Sequence, residues 1–311
     1  MKTRLISAVL AAICLLGILG GCADKDKTVV GTCAGYDVLY EELRFVALSV
    51  REQSGELTAD ELKQAVAEQI AADYAVLTAA KTYFPDLTLE SAEIRDAVDA
   101  AVKEAIEEYG SKSAYRSFLK EHHLTENYAR LLLGRAEVEL KWKAELEKAL
   151  FEGTYLESET AFAEWLNGGN LVRVCRILAA TEQEAEQIRA DLVAGKSVEK
   201  ATEGKPDIDV STKFYLVRGY SEDELLETDA FALTKENPVS AVRQTEAGYR
   251  VLVWEESNME AFSAYQLPTY FKNMRDAEYE AECETILAAA ARENPYLPNE
   301  TGNGIDLMIL K

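Results

Sequence analysis

One stretch of this chain leaves few folds open to it. Residues 171–256 begin with LVRVCRILAA (171–180) and end with VRQTEAGYRVLVWEE (242–256). Both segments alternate apolar with polar residues and are rich in β-branched or aromatic side chains, the signature of half-buried strands. A third strand-like segment, TKFYLVRGY (212–220), lies between them together with helical patterns. Thr181 with Glu184, and Ser221 with Glu224, match the capping-box spacing that starts a helix, and Gly195 suits a helix C-terminus. Asn258 is expected to cap the exit. A small sheet with helices packed on it follows.

Both flanks carry helical periodicity instead. A short hairpin is expected over 28–38, turning near Gly31–Gly35, then a helix over about 39–53. Thr58 and Glu61 form a second capping-box pattern, and Leu62, Val66, Ile70, Tyr74 and Leu77 then recur at helical spacing until Pro85. Further helices are expected over 90–109, 112–122, 126–151 and 159–166. Most of their apolar residues read as core, and the many aromatics also suit a groove for unfolded chains. Asn167, Gly168, Gly169 and Asn170 make the candidate hinge into the central stretch. Beyond it, Pro268 suits a first helical turn, so a long helix should run from there to Arg292, and Asn294–Pro295 stops it. The final IDLMIL (305–310) is expected to pair with the 28–38 hairpin. The fold class is therefore α+β, a mostly helical lobe bracketing a sheet-and-helix domain.

The first 21 residues place Lys2 and Arg4 before an apolar run from Leu5 to Leu19. That is a signal-peptide pattern, shorter than the roughly 20 residues that span a bilayer. The junction LGGC (19–22) resembles a bacterial lipoprotein signal and implies lipidation of Cys22 and a place at the cell membrane, facing the extracytoplasmic side. ADKDKT (23–28) reads as a tether. The net charge of the whole chain is −22, and loss of the first 21 residues deepens it by two. Such acidity excludes nucleic acid as a partner. About 290 residues remain, enough for two domains.

Apart from Cys14 and Cys22, Cys33, Cys175 and Cys283 remain, an odd number that makes no complete disulfide framework. Cys175 reads as a buried strand residue, and a Cys33–Cys283 bridge stays open in an oxidising compartment. His122 and His123 are adjacent at a helix end, so they point to different faces and offer no two-ligand metal site. No cofactor is implied: there is no phosphate-binding glycine loop, TEGKP (202–206) lacking the rest of that motif. A serine hydrolase would need a histidine in context, and a transporter's binding lipoprotein would need two α/β lobes.

The order strand VRVCRIL, helix EQEAEQIRADLVAGKS, short helix VEKAT, strand FYLVRG, helix EDELLETDAFALTKENPVS and strand QTEAGYRVLVW resembles a parvulin-type peptidyl-prolyl isomerase domain, as found in extracytoplasmic foldases of the PrsA/SurA type. FAL…NPVS and T-x-x-GY-x-V-x-V are its most specific pieces. The resemblance implies a signal peptide over 1–21, a tether over 22–28, a helical region over 29–167, the parvulin-like domain over 170–257, and a C-terminal helix and strand over 258–311 returning to the helical lobe. It places one histidine before the Ile-Leu of the first strand and another after the Gly-aromatic pair of the last; this chain has Arg176 and Arg250 there. Thr245 is retained, Leu225 or Leu226 stands where the family has an aromatic residue, and the family's glycine-rich loop is shortened to EGKPDIDVST (203–212).

No residue is assigned a catalytic role; the family-equivalent positions are Arg176, Thr245 and Arg250. The resemblance implies a peptide-binding groove next to the helical lobe, drawing on Arg176, Tyr215, Leu225, Leu226, Phe231, Thr245, Tyr249 and Arg250. The two arginines are expected to turn outward or to pair with Asp207, Asp209 or Glu246. The function implied is a membrane-anchored chaperone or foldase for unfolded or partly folded exported polypeptides, with isomerase activity weak or lost. The alternatives are an active atypical parvulin-type isomerase and a non-enzymatic adaptor lipoprotein for one dedicated partner.

Overall fold

A computed structural model describes residues 25–221 and 223–310. The signal-peptide and Cys22 expectations lie outside them. The chain divides into a helical unit, 25–150 with 279–310, and a sheet unit, 151–278.

The helical unit opens with strands β1 (Val29–Cys33) and β2 (Tyr36–Leu39). Ala34 and Gly35 turn the hairpin, both at positive φ (54° and 82°), the pairing that matches the right-handed strand twist. Helices α1 (Tyr40–Ser54), α2 (Ala59–Tyr83), α3 (Ala92–Glu108), α4 (Lys112–Glu121) and α5 (Glu126–Phe151) follow. The capping box at Thr58 and Glu61 is present in full, satisfying two N–H groups that the first turn of α2 cannot pair internally. The stripe Leu62, Val66, Ile70, Tyr74 and Leu77 is buried throughout and packs into one core with Trp142, Tyr115 and Ile94.

The sheet unit runs through α6 (Glu159–Trp165), β3 (Leu171–Ala179), α7 (Glu182–Val193), α8 (Val198–Thr202), β4 (Asp209–Val217), α9 (Glu224–Phe231), β5 (Arg243–Thr245), β6 (Gly248–Glu255) and α10 (Met259–Tyr265). Its strands form an antiparallel sheet in the order β4-β3-β6-β5. Alternation along β3 sends Cys175, Ile177 and Ala179 to one face, where Val251 joins them under Ala185, Ile188, Leu192 and Ala201 of α7 and α8. Val172 and Val174 go to the other face, with Leu216 and Leu252, and are covered by Leu226 and Ala230 of α9. Asn167–Asn170 forms a tight turn with Gly169 at φ 99°.

The long helix α11 (Leu267–Glu293) carries Pro268 in its first turn and ends before Asn294–Pro295. The chain then adds β7 (Leu297–Pro298), α12 (Glu300–Asn303) and a 3₁₀ turn at Leu307–Ile309. Among these described residues no helix is long and apolar enough to cross a membrane.

Three local expectations need correction. IDLMIL makes no strand: the free edge of β1 is taken by Leu297–Pro298, and the Asp306 side chain accepts from Met308 N–H, which starts a helical turn. At Gly31 a Cβ would sit 2.5 Å from the Tyr296 ring and 2.6 Å from Leu297 O, so the missing side chain is what lets β7 close on β1. Asp223, not Ser221, caps α9, accepting from Leu226 N–H at 2.8 Å, while the Ser221 hydroxyl is spent on the Asp223 backbone. Cys33, Cys175 and Cys283 are all free and buried; the Cys33 thiol donates to Asn294 O, and burial pushes its pKa up to about 11.

Candidate functional site

The α9-covered face of the sheet changes character along its length. Antiparallel register places Arg250 opposite Leu178 and Arg243 opposite Arg250, and two-residue alternation puts Arg176 on the same side as Leu178. One end of the face is therefore apolar, and the other carries Arg176, Arg243 and Arg250. Those three, with Leu178, Leu225 and Thr245, line a cavity of about 710 Å³.

The arginines are not equivalent. Arg250 is only 3% exposed, and its guanidinium donates to Asp223 at 2.6 Å and reaches Asp229 at 3.4 Å. Arg243 grips the same Asp229 through Nε and Nη2. Both acids come from α9: one caps it, and the other lies six residues on. Arg176 is half-exposed, donates to Ser211 Oγ at 3.2 Å, and stands 3.7 Å from Asp209. Of the acids expected to answer the arginines, Asp209 does so. Asp207 and Glu246 make no ion pair with them, and α9 supplies the rest. Sequence reasoning missed Asp223, Asp229 and Arg243. The alternation that pairs Arg243 with Arg250 across the hairpin was the signal available for the arginine.

Burial works to raise the Asp223 carboxyl, but hydrogen bonds from Leu226 N–H and Arg250, and the charge of Arg250, hold it below its usual value. A carboxylate depressed in the folded state stabilises the fold above its unfolded pKa, near about 4, and loses that contribution as pH falls through the folded value. Asn also caps helices well, so Asp223→Asn isolates the charge. Wild type should unfold at higher denaturant than Asp223→Asn at pH 7, with the gap closing in acid below about pH 4. A gap that persists unchanged into strong acid would show that the charge plays no part.

Thr245 Oγ1 donates to Gly248 O at 2.9 Å and accepts from Ala247 N–H, so its hydroxyl ties the β5–β6 turn. Gly248 sits at φ 128°, where a Cβ would meet Ala179 O at 2.5 Å; the turn needs glycine to lie against β3. Of the eight expected groove residues, Arg176, Leu225, Thr245 and Arg250 line the cavity. Leu226 and Phe231 belong to the packing under α9, and Arg218 covers the Phe231 ring at 4.1 Å. Tyr249 packs on the opposite face. Tyr215 packs against Phe262 and donates to Asn258 O, away from the cavity.

The cavity's described lining holds the carboxylates of Asp223, Glu224 and Glu246, three guanidiniums, the Gln244 amide and the committed Thr245 hydroxyl. A guanidinium offers hydrogen-bond donors only. The side chains can bind carbonyl or carboxylate oxygens beside the apolar Leu178 and Leu225.

No family model matches the chain, and no curated protein does. Solved structures do match it over most of their length. They include PrsA foldases and SurA-like chaperones. PrsA from Bacillus subtilis is 18% identical, the match covering 86% of this chain and 91% of that one, with a TM-score of 0.25. The peptidylprolyl isomerase PrsA from Bacillus cereus is 13% identical over the same shares, with a TM-score of 0.36. A SurA-like chaperone of Campylobacter jejuni, PEB4 or Cj1289, is 11% identical, the match covering 88% of this chain and 99% of that one, with a TM-score of 0.28. At such scores the functional reading rests on the site and the sequence.

Proposed function

We propose that this chain is a chaperone or foldase for exported polypeptides, held at the extracytoplasmic face of the cell membrane by lipid on Cys22, with prolyl isomerase activity weak or lost. The observation that carries the second half is the state of the two positions where the parvulin resemblance implies imidazoles. Arg250 is locked between Asp223 and Asp229, and Arg176 is a half-exposed donor. Rotating an X-Pro bond means lowering a barrier of about 18–20 kcal/mol by desolvating and twisting the amide. A guanidinium at each of these two positions keeps the site polar and, unlike an imidazole, only donates.

The first half is supported by the order of segments over 171–256 that resembles PrsA/SurA-type foldases, with helices before and after it. In this reading 22–28 tethers the molecule, 29–167 and 258–311 make the chaperone-like lobe, and 170–257 is a parvulin scaffold kept for contact with clients. Arg176, Leu225, Thr245 and Arg250 offer that contact; Tyr215, Leu226, Phe231 and Tyr249 hold the scaffold.

A protease-coupled proline-peptide assay, run beside aggregation assays on several unrelated unfolded proteins, tests both halves. The expected result is suppressed aggregation of several clients with no acceleration of isomerisation. Acceleration that disappears in Arg176→Ala would establish an isomerase and overturn the lost-activity reading. Protection of a single partner would establish a dedicated adaptor.

A further inference from the structure

The stretch read as a tether is part of the fold at its far end. Thr28 N–H donates to Lys25 O at 3.1 Å, which closes a turn over 25–28. Tyr40 N–H donates to Thr28 O at 2.8 Å and Glu41 N–H to Asp26 O at 3.2 Å. This segment therefore satisfies two donors that the first turn of α1 cannot pair internally. The Asp26 side chain is 9% exposed and meets Arg44 at 3.1 Å. Lys25 Nζ lies 4.8 Å over the Tyr40 ring.

The same network fixes what stands beside this point of entry. Arg44 Nη2 donates to His123 O at 3.1 Å, so one guanidinium holds Asp26 and the residues just after α4 together. The Thr125 hydroxyl donates to Glu41. His123 N–H donates to Lys120 O at 3.2 Å, which brings the last turn of α4 to the same place. Lys25, Lys27 and Lys120 are exposed, as is Glu121.

Covalent length decides the partner. With lipid on Cys22, only Ala23 and Asp24 separate the acylated residue from Lys25. Three Cα steps reach about 10 Å at full extension. The helical unit is larger than that: α1 alone, with 15 residues, runs about 22 Å. The unit cannot stand clear of the bilayer or turn freely above it, and the end that holds Lys25 lies at the headgroups. Charge then orients it. The chain carries a net charge of −22, which an anionic bilayer repels, while lysines within a Debye length of about 8 Å are attracted. Contact is favoured with Lys25, Lys27 and Lys120 foremost and the acidic remainder turned away.

We infer that this end of the helical unit, built by 25–28, the start of α1 and the close of α4, is a docking surface for anionic lipid headgroups. The inference rests on the lipid-anchor reading of Cys22; the closed network around Arg44 does not.

The test uses the full acylated chain in vesicles of equal parts phosphatidylcholine and phosphatidylglycerol, with a nitroxide on the headgroup of a trace lipid as quencher. A thiol-reactive fluorophore is placed at Glu121→Cys, beside Lys120, or at Gln53→Cys, which lies about 20 Å along α1 from Tyr40. Both positions are exposed, whereas Cys33, Cys175 and Cys283 are buried and escape labelling. Circular dichroism checks each fold. Quenching should be at least 3-fold stronger at position 121 than at position 53. The charge reversal Lys25→Glu/Lys27→Glu/Lys120→Glu should lower quenching at 121 at least 2-fold, and so should vesicles of phosphatidylcholine alone. Equal quenching at the two positions would overturn the docking surface, as would quenching at 121 indifferent to both changes of charge. Mass spectrometry of the N-terminal peptide separates the two readings. An acylated Cys22 with equal quenching sinks the docking surface alone. An unacylated Cys22 in protein recovered from membranes sinks the anchor reading, and the docking surface with it.

Discussion

Arg135→Ala should destabilise the helical unit by about 3–5 kcal/mol, the range for removing one partner of a closed ion pair. Glu42 has 1% of its side chain exposed and Arg135 has 7%, and the two meet at 2.6 Å. Tyr74 donates to the other Glu42 oxygen at 3.0 Å, so the carboxylate is held from two sides. Truncating Arg135 leaves a buried carboxylate with one neutral donor, and it also strips the cation from the Tyr74 face. The damage comes from the stranded charge more than from the lost attraction. The double variant Glu42→Leu/Arg135→Met should therefore regain most of the loss, since well-packed apolar pairs replace buried ion pairs at little or no net cost. Urea unfolding followed by circular dichroism measures both. A single-variant loss under about 1 kcal/mol, the surface-pair value, would mean that water reaches the pair freely.

Arg250→Ala should destabilise the sheet unit by about 2–3 kcal/mol, below the closed-pair range for two reasons. Asp223 is half-exposed, so its part of the pair is screened, and Asp229 keeps Arg243 after the change. What remains is the lost packing of a stem 96% covered and one carboxylate left with fewer partners. Arg176→Ala should cost about 0.5 kcal/mol or less, as for an exposed side chain with a weak pair. The two positions that the family resemblance treats alike are thus expected to differ severalfold in denaturant unfolding. Equal losses would show that the α9 acids do not close on Arg250 as described.

Much of the architecture was legible in advance because it is written locally. Thr58 with Glu61 marks the start of α2, Thr181 caps α7, and Asn258 caps α10, each through a side chain that reaches an N–H three residues away. The alternation of 171–180 and 242–256 marked them as strands, which the structure places at 171–179, 243–245 and 248–255. Arg176, Leu225, Thr245 and Arg250, which the family resemblance rather than periodicity suggested, come together at one cavity.

The rest failed where a residue's neighbours are distant in the chain. Tyr215, Phe231 and Tyr249 were expected in the groove, yet the alternation of the strands and the sheet-facing side of α9 carry them into packing. IDLMIL has strand composition, but the edge it would have joined is occupied by a two-residue strand containing a proline, which no propensity would favour.

By itself, then, the sequence determined the α+β class, most of the helix starts and the presence of arginine at the two positions where the family resemblance implies imidazole. Tertiary structure alone decided that Arg250 is locked between Asp223 and Asp229, while Arg176 stays half-exposed beside Ser211 and Asp209. Hydrogen-bonded caps and periodicity act over three to seven residues, and composition exposes them. The partner of a buried charge is chosen by which distant segment packs over it, and only the folded chain brings that segment there.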